Sequence, residues 1–243
     1  ISIMNIMNVP QVTKDRKVVG KSVPVLDARE KVTGSLKFGV DFAVLGMVHG
    51  KILRSTVPHG RVKRIDVRKA ESLPGVLGIV THEDAPDLNW IGVWDNYRGK
   101  VLDGIARFVG DEIAAVAATT VEIAEEALEL IEVEYEPLPA VLDVEKALLA
   151  DAPQVREEGN VRDEYLVLWG DLEQGVAEAD HIVDIEMRYK SQNYAGIGRN
   201  ACICEWDGDK VTMWTSTQTP SELQSGIHEA FGMPMSNVRV IAL

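Results

Sequence analysis

The chain has 243 residues, 46% of them hydrophobic and 26% charged, the composition of a globular protein long enough to bury one or two cores. With 38 acidic against 25 basic residues the formal charge is −13, which argues against a nucleic-acid partner, because phosphate backbones reward clustered Lys and Arg. No apolar run reaches the ~18–20 residues of a membrane span, the start lacks the pattern of a signal peptide, and two cysteines cannot build a secreted disulfide framework, so a reducing, cytoplasmic setting is expected.

Residues 1–22 show no clear periodicity and read as an N-terminal arm. SLKFGVDF (35–42) alternates and ends at a turn, and MVHGKILRS (47–55) is a second apolar run, which together predict paired strands. RVKRIDVRKAESL passes from strand to short helix and is closed by Pro74-Gly75, after which VLGIVT is a compact buried strand. His82–Pro86 is a turn, and Asp87–Gly104, with Trp90, Trp94 and Tyr97, is expected to be a long loop. Arg107–Ala118, apolar at nearly every position, is expected to be one strand buried on both faces. Thr120 then caps a helix whose Ile123, Ala127, Leu128 and Ile131 share one face, and Val133-Glu134-Tyr135 is a strand ended by Pro137 and Pro139.

Residues 151–165 are polar and proline-marked, as a linker would be. Beyond it, Asp171 is placed to cap a short helix, LEQGVAEA. His181–Tyr189, ACICEW and VTMWTST read as strands, the last two joined by the turn Asp207-Gly208-Asp209. Pro220 fits the first turn of a helix that Gly232 stops, and NVRVIAL begins a further strand. Strands and helices alternate without a regular βαβ series, so the fold class is α+β.

Chemistry-bearing patterns are few. Cys202 and Cys204 point to one face of a strand; with no further Cys or clustered His to complete a tetrahedral zinc set, they read as small buried hydrophobes. The five histidines are scattered and form no HExxH pair; no phosphate-binding glycine loop or GxSxG elbow occurs. Gly110-Asp111-Glu112 is a bend in which glycine serves the turn. The acidic helix EIAEEALELIEVEYE is read as a solvated face, with docking of a basic partner as the alternative.

The order of VLDAREKVTGSLKFGVDF, GMVHGKILRSTVPHGRVKRIDVRKAESLPGVLGIVTHEDAP and RFVGDEIAAVAATTVEIAEEALELIEVEYEPLPAVLD, from Val25 to Asp143, resembles the a/b hammerhead domain of the xanthine dehydrogenase and aldehyde oxidase family. DGDKVTMWTSTQTPSELQSGIHEAFGMPMSNVRVIAL resembles that family's entrance to its first molybdopterin-binding domain. The implied organisation is an arm (1–22), a hammerhead domain (23–150), a linker (151–165) and the beginning of an incomplete α+β molybdopterin-binding domain (166–243). Within Ser216-Thr217-Gln218, the resemblance makes Gln218 the glutamine whose amide points at an oxygen ligand of the molybdenum, both a catalytic and a cofactor-binding position. The competing reading is that Gln218 only caps the helix at Pro220. Tyr194 and Gly198 stand where many members carry histidine and glutamate. The glycine is shared with a branch that acts on nitrogen heterocycles, or it relieves crowding against a neighbour.

The resemblance implies a molybdenum-dependent hydroxylase acting on an aldehyde or N-heteroaromatic carbon with water-derived oxygen. Its cofactors would be molybdopterin, with iron–sulfur clusters and FAD on partner subunits or domains. The family's pterin-binding loops and catalytic glutamate follow the stretch seen here, so this chain alone is expected to hold no cofactor and to be inactive. Its partners are expected to be the rest of the molybdopterin subunit and the iron–sulfur and flavin subunits, with self-association through the apolar end an added possibility. The alternative function is a non-catalytic hammerhead module that docks to iron–sulfur or flavin partners.

Overall fold

In the computed structural model, residues 17–85, 88–92, 96–161, 163–190, 192–193, 195–196 and 198–243 are described. A short helix, α1 (Ala28–Thr33), and a 3-10 turn at Gly39–Asp41 lead into strands β1 (His49–Arg54) and β2 (Gly60–Asp66). Helix α2 (Arg68–Glu71), β3 (Val76–Thr81), the hairpin β4 (Asn89–Gly92) and β5 (Asn96–Lys100), and the two-residue β6 (Ile105–Ala106) follow. Strand β7 (Glu112–Ala118), helix α3 (Val121–Leu130), β8 (Glu132–Pro137) and helix α4 (Val144–Ala147) complete this part.

Its strands form two antiparallel three-stranded sheets, β1-β7-β3 and β6-β2-β8. Strand β7 joins their cores because its side chains alternate. Ala114, Val116 and Ala118 pack with Ala70, Ala124, Ala127 and Ile131, whereas Ile113 packs with Val62 and Ala106. Ala124 and Ala127 on α3 meet Ala114 and Ala118 on β7, so small side chains on both surfaces let helix and sheet approach closely. The sequence dictates where α3 starts: Thr120 Oγ1 accepts a hydrogen bond from Ile123 N at 3.3 Å, satisfying a donor that a helix cannot satisfy itself.

The second part holds α5 (Leu172–Glu178), β9 (Cys202–Asp207), β10 (Lys210–Thr215), α6 (Pro220–Phe231) and β11 (Val238–Ala242). Asp171 caps α5 through its carboxylate, which accepts from Gln174 N at 2.9 Å. Strands β9 and β10 are an antiparallel hairpin, and α6 carries the chain over to β11, which runs parallel to β10. Val211, Ile227, Met233 and Val238 form the core between α6 and this sheet. Pro220 sits at the first turn of α6, and Gly232 ends it at φ 61°, a left-handed conformation that costs glycine no Cβ clash.

Four sequence expectations are corrected. SLKFGVDF is not a strand: it holds the 3-10 turn, whose Asp41 carboxylate accepts from Phe38 N at 2.9 Å and competes with extension. The Asp87–Gly104 loop contains the β4–β5 hairpin, hidden because Asn and Gly are poor strand signals; Asp87 and Trp94 lie outside the described residues. Arg107–Ala118 is not one strand: Phe108 and Val109 are exposed in a turn closed by Gly110 at φ 103°, and only Glu112–Ala118 pairs. His181–Tyr189 has strand-like alternation, yet it joins no ladder among the described residues and its apolar side chains are exposed. Alternation marks a half-buried strand only where a neighbour supplies hydrogen bonds and cover.

Candidate functional site

Gln218 lies between the end of β10 at Thr215 and the start of α6 at Pro220. It is not buried, and among the described residues its amide has no hydrogen-bond partner. The helix-cap reading therefore fails: Thr219 occupies the cap position, and no side chain caps α6 there. Thr217 Oγ1 instead accepts from Thr219 N at 3.1 Å, which fixes the backbone on either side of Gln218 and leaves its amide free.

Three further contacts hold this strand end. Ser216 N and Thr215 Oγ1 both donate to the carbonyl of Ala201, at 3.3 and 3.2 Å, tying β10 to the approach to β9. Leu243 N donates to Thr215 O at 3.0 Å, so the parallel partner ends beside it. Gln218 thus sits outside the carboxyl ends of two parallel strands and beside the amino end of a three-turn helix. That is where open sheets carry ligands and where the helix field favours negative charge.

The hammerhead part reaches the same place. A Cβ on Gly39 would fall 2.8 Å from Ser216 Oγ, and one on Gly198 would fall 2.8 Å from Phe38 Cδ1 and 3.4 Å from its Cγ. Both positions suit glycine because a side chain from the other stretch, Ser216 or Phe38, fills the space a Cβ would need. Gly198 thus relieves crowding by Phe38, one of the two readings of that position; Tyr194 lies outside the described residues. The Phe38-Gly39 contact was missed by sequence reasoning. Its only local signal is an Xaa-Gly step in an otherwise alternating run.

Cys202 and Cys204 are a correction, because both are exposed free thiols and not buried hydrophobes. They lie opposite Thr215 and Met213 in the β9–β10 hairpin. A hydrogen bond between them pulls Cys202 down to about 6 and holds Cys204 well above the usual thiol range. Among the described residues no group of three or more His, Cys, Asp or Glu is placed to hold a metal. His59 is 7% exposed, and its Nδ1 donates to Pro139 O at 2.6 Å, a structural role. Asp111 accepts from Arg107 N at 2.8 Å; burial raises its carboxyl, and the donor opposes that rise. No helix among the described residues is long and apolar enough to cross a membrane.

The two parts match two family models. Residues 33–139 match "Aldehyde oxidase and xanthine dehydrogenase, a/b hammerhead domain", and residues 155–243 match "Molybdopterin cofactor-binding domain". The same arrangement occurs in solved structures of oxidoreductases. Reconstituted CO dehydrogenase from Oligotropha carboxidovorans superposes with a TM-score of 0.80 at 27% identity, over 92% of this chain and 30% of that one. Quinoline 2-oxidoreductase from Pseudomonas putida 86 gives 0.77 at 26% identity, over 92% and 30%. These matches define a hammerhead domain joined to a molybdopterin-binding α+β domain.

The chain belongs to the molybdopterin-binding subunits of the xanthine dehydrogenase and aldehyde oxidase family. It is 37% identical over 218 residues to a probable xanthine dehydrogenase subunit of Bacillus subtilis, covering 89% of this chain and 29% of that protein. It is 31% identical over 229 residues to the nicotinate dehydrogenase large molybdopterin subunit of Eubacterium barkeri, covering 94% of this chain and 54% of that protein. The chain therefore spans between about a third and a half of the length of these relatives.

Proposed function

We propose that this chain is the front of a molybdenum hydroxylase subunit that oxidises an aldehyde or N-heteroaromatic carbon, with Gln218 beside the metal. The observation that carries the reading is the free amide of Gln218 at the carboxyl end of β10, inside the stretch that matches the cofactor-binding domain. Molybdopterin, when bound, would supply the oxygen-transfer and two-electron chemistry. Gln218 fits beside it, because a neutral amide donates a hydrogen bond to an oxygen ligand without adding charge or competing for the metal. Thr217 and the Ala201 carbonyl hold the backbone on either side of this amide, and Gly39 packs against Ser216 beside it.

The pterin itself would be held by loops of the wider subunit, because phosphate recognition needs converging backbone N–H groups and no glycine-rich loop for them occurs in this sequence. Iron–sulfur clusters and FAD on partner subunits or domains would carry the electrons away. The domain limits we propose remain 1–22, 23–150, 151–165 and 166–243.

The test is to produce the chain within its full-length subunit and with its electron-transfer partners, and to follow hydroxylation of aldehydes and N-heterocycles in 18O-labelled water. Label in the product is expected. Gln218→Ala should lower turnover by about 10–100-fold, the usual range for groups that tune a metal from behind its ligands, with molybdenum content retained. Unchanged turnover together with a destabilised fold would reduce Gln218 to a structural element and overturn its assignment.

A further inference from the structure

Between the β6-β2-β8 sheet and the segment 153–157 lies a cavity of about 370 Å3, within the size range of small-molecule sites. Ile105, Leu138 and Val155 give it an apolar lining, Arg61, Arg107 and Arg156 reach it from both sides, and Glu157 is the single carboxylate against these three guanidiniums. Three guanidiniums around one apolar hollow are unexpected in a chain of net charge −13.

The walls are fixed. His59 holds Pro139 on the sheet side. On the other side, Asn160 donates to Ala147 O at 3.1 Å and Pro153 O at 2.9 Å and accepts from Val155 N at 3.0 Å, which pins the crossing segment. The cavity is thus framed by side-chain to backbone bonds on both faces, independently of the Gln218 region.

The guanidiniums have donors to spare. Arg107 spends one terminal nitrogen on Asp103, at 2.5 Å, and on the Ile105 carbonyl, at 3.1 Å, and its other terminal nitrogen makes no hydrogen bond among the described residues. Arg61 meets Glu136 only loosely, at 3.8 Å, and the Arg156 side chain has no ion pair or hydrogen bond among the described residues. Planar guanidiniums with open N–H forks match the oxygens of carboxylates and phosphates.

We infer that this cavity binds a small organic anion, its carboxylate or phosphate oxygens held by Arg107 and Arg156 and its apolar body against Ile105, Leu138 and Val155. Calorimetric titration of the protein at constant ionic strength, with phenyl phosphate, benzoate and inorganic phosphate as probes, tests this. Saturable one-to-one binding of phenyl phosphate or benzoate is expected, tighter than that of inorganic phosphate. The better of the two organic probes assigns the headgroup as phosphate or carboxylate. Arg156→Gln should weaken that binding about tenfold or more without altering the circular dichroism spectrum, because the Arg156 side chain has no internal partner to lose. Arg156→Lys should recover part of it. Binding unchanged in Arg156→Gln, inorganic phosphate binding as tightly as the organic probes, or no saturable binding by any of them overturns the proposal.

Discussion

Position 198 shows how a single missing atom couples two distant stretches of chain, since a methyl group there would overlap the ring of Phe38. Gly198→Ala should destabilise the protein by about 1–3 kcal/mol in a denaturant titration, the usual cost of overpacking. Most of that loss should disappear when Phe38→Ala is added; additivity of the two changes would mean that they do not touch. The contact was illegible in sequence because its partners are far apart along the chain, whereas the strand-to-helix junction that carries Gln218 was legible through Ser216, Thr217 and Pro220. The thiol pair gives a pH signature. Cys202 lies at about 6, so its thiolate persists at neutral pH and alkylation should rise through that value as pH increases. Cys204→Ala removes the hydrogen bond and should move the profile up toward the ordinary ~8.5. A wild-type profile already at that higher value would show that the thiols do not interact.

Strand β7 and helix α3 were readable from pattern alone, because an all-apolar strand beside a one-sided helix has few other ways to be buried. Ile113, with no exposure, links the second core to the first through alternation along the same strand. Ile113→Ala should therefore cost about 2–5 kcal/mol, read as a shift in the denaturation midpoint; a loss below about 1 kcal/mol would show that the neighbouring sheet closes over the gap. The start of β7 was misread for a physical reason. Phe108 and Val109 look like strand residues, but Gly110 N donates to Ser55 O and Ser55 N to Asp111 O, each at 2.8 Å, so the backbone there is committed to a turn. Local hydrophobicity does not register such long-range backbone bonds.

At the scale of the whole molecule, the stretch 165–189 stands apart. Tyr165, Leu166, Val167, Trp169, Ile182, Val183 and Ile185 are exposed, Trp169 by 99%, a far larger apolar display than a solvated surface ordinarily carries. Limited proteolysis with thermolysin, which cuts before apolar residues, should cleave there first, and a chain extended to the relatives' full length should be protected. First cuts within β1–α3 would contradict the order of stability implied by burial. The parallel pairing of β10 with β11 has a kinetic consequence. The β9–β10 hairpin closes through a tight turn, an event of about 1–10 μs, but β11 registers only after α6 has formed and folded back. The ledge that carries Gln218 is therefore among the last features to acquire its shape, so refolding followed at the β10–β11 pairing should lag behind refolding followed at the β9–β10 hairpin.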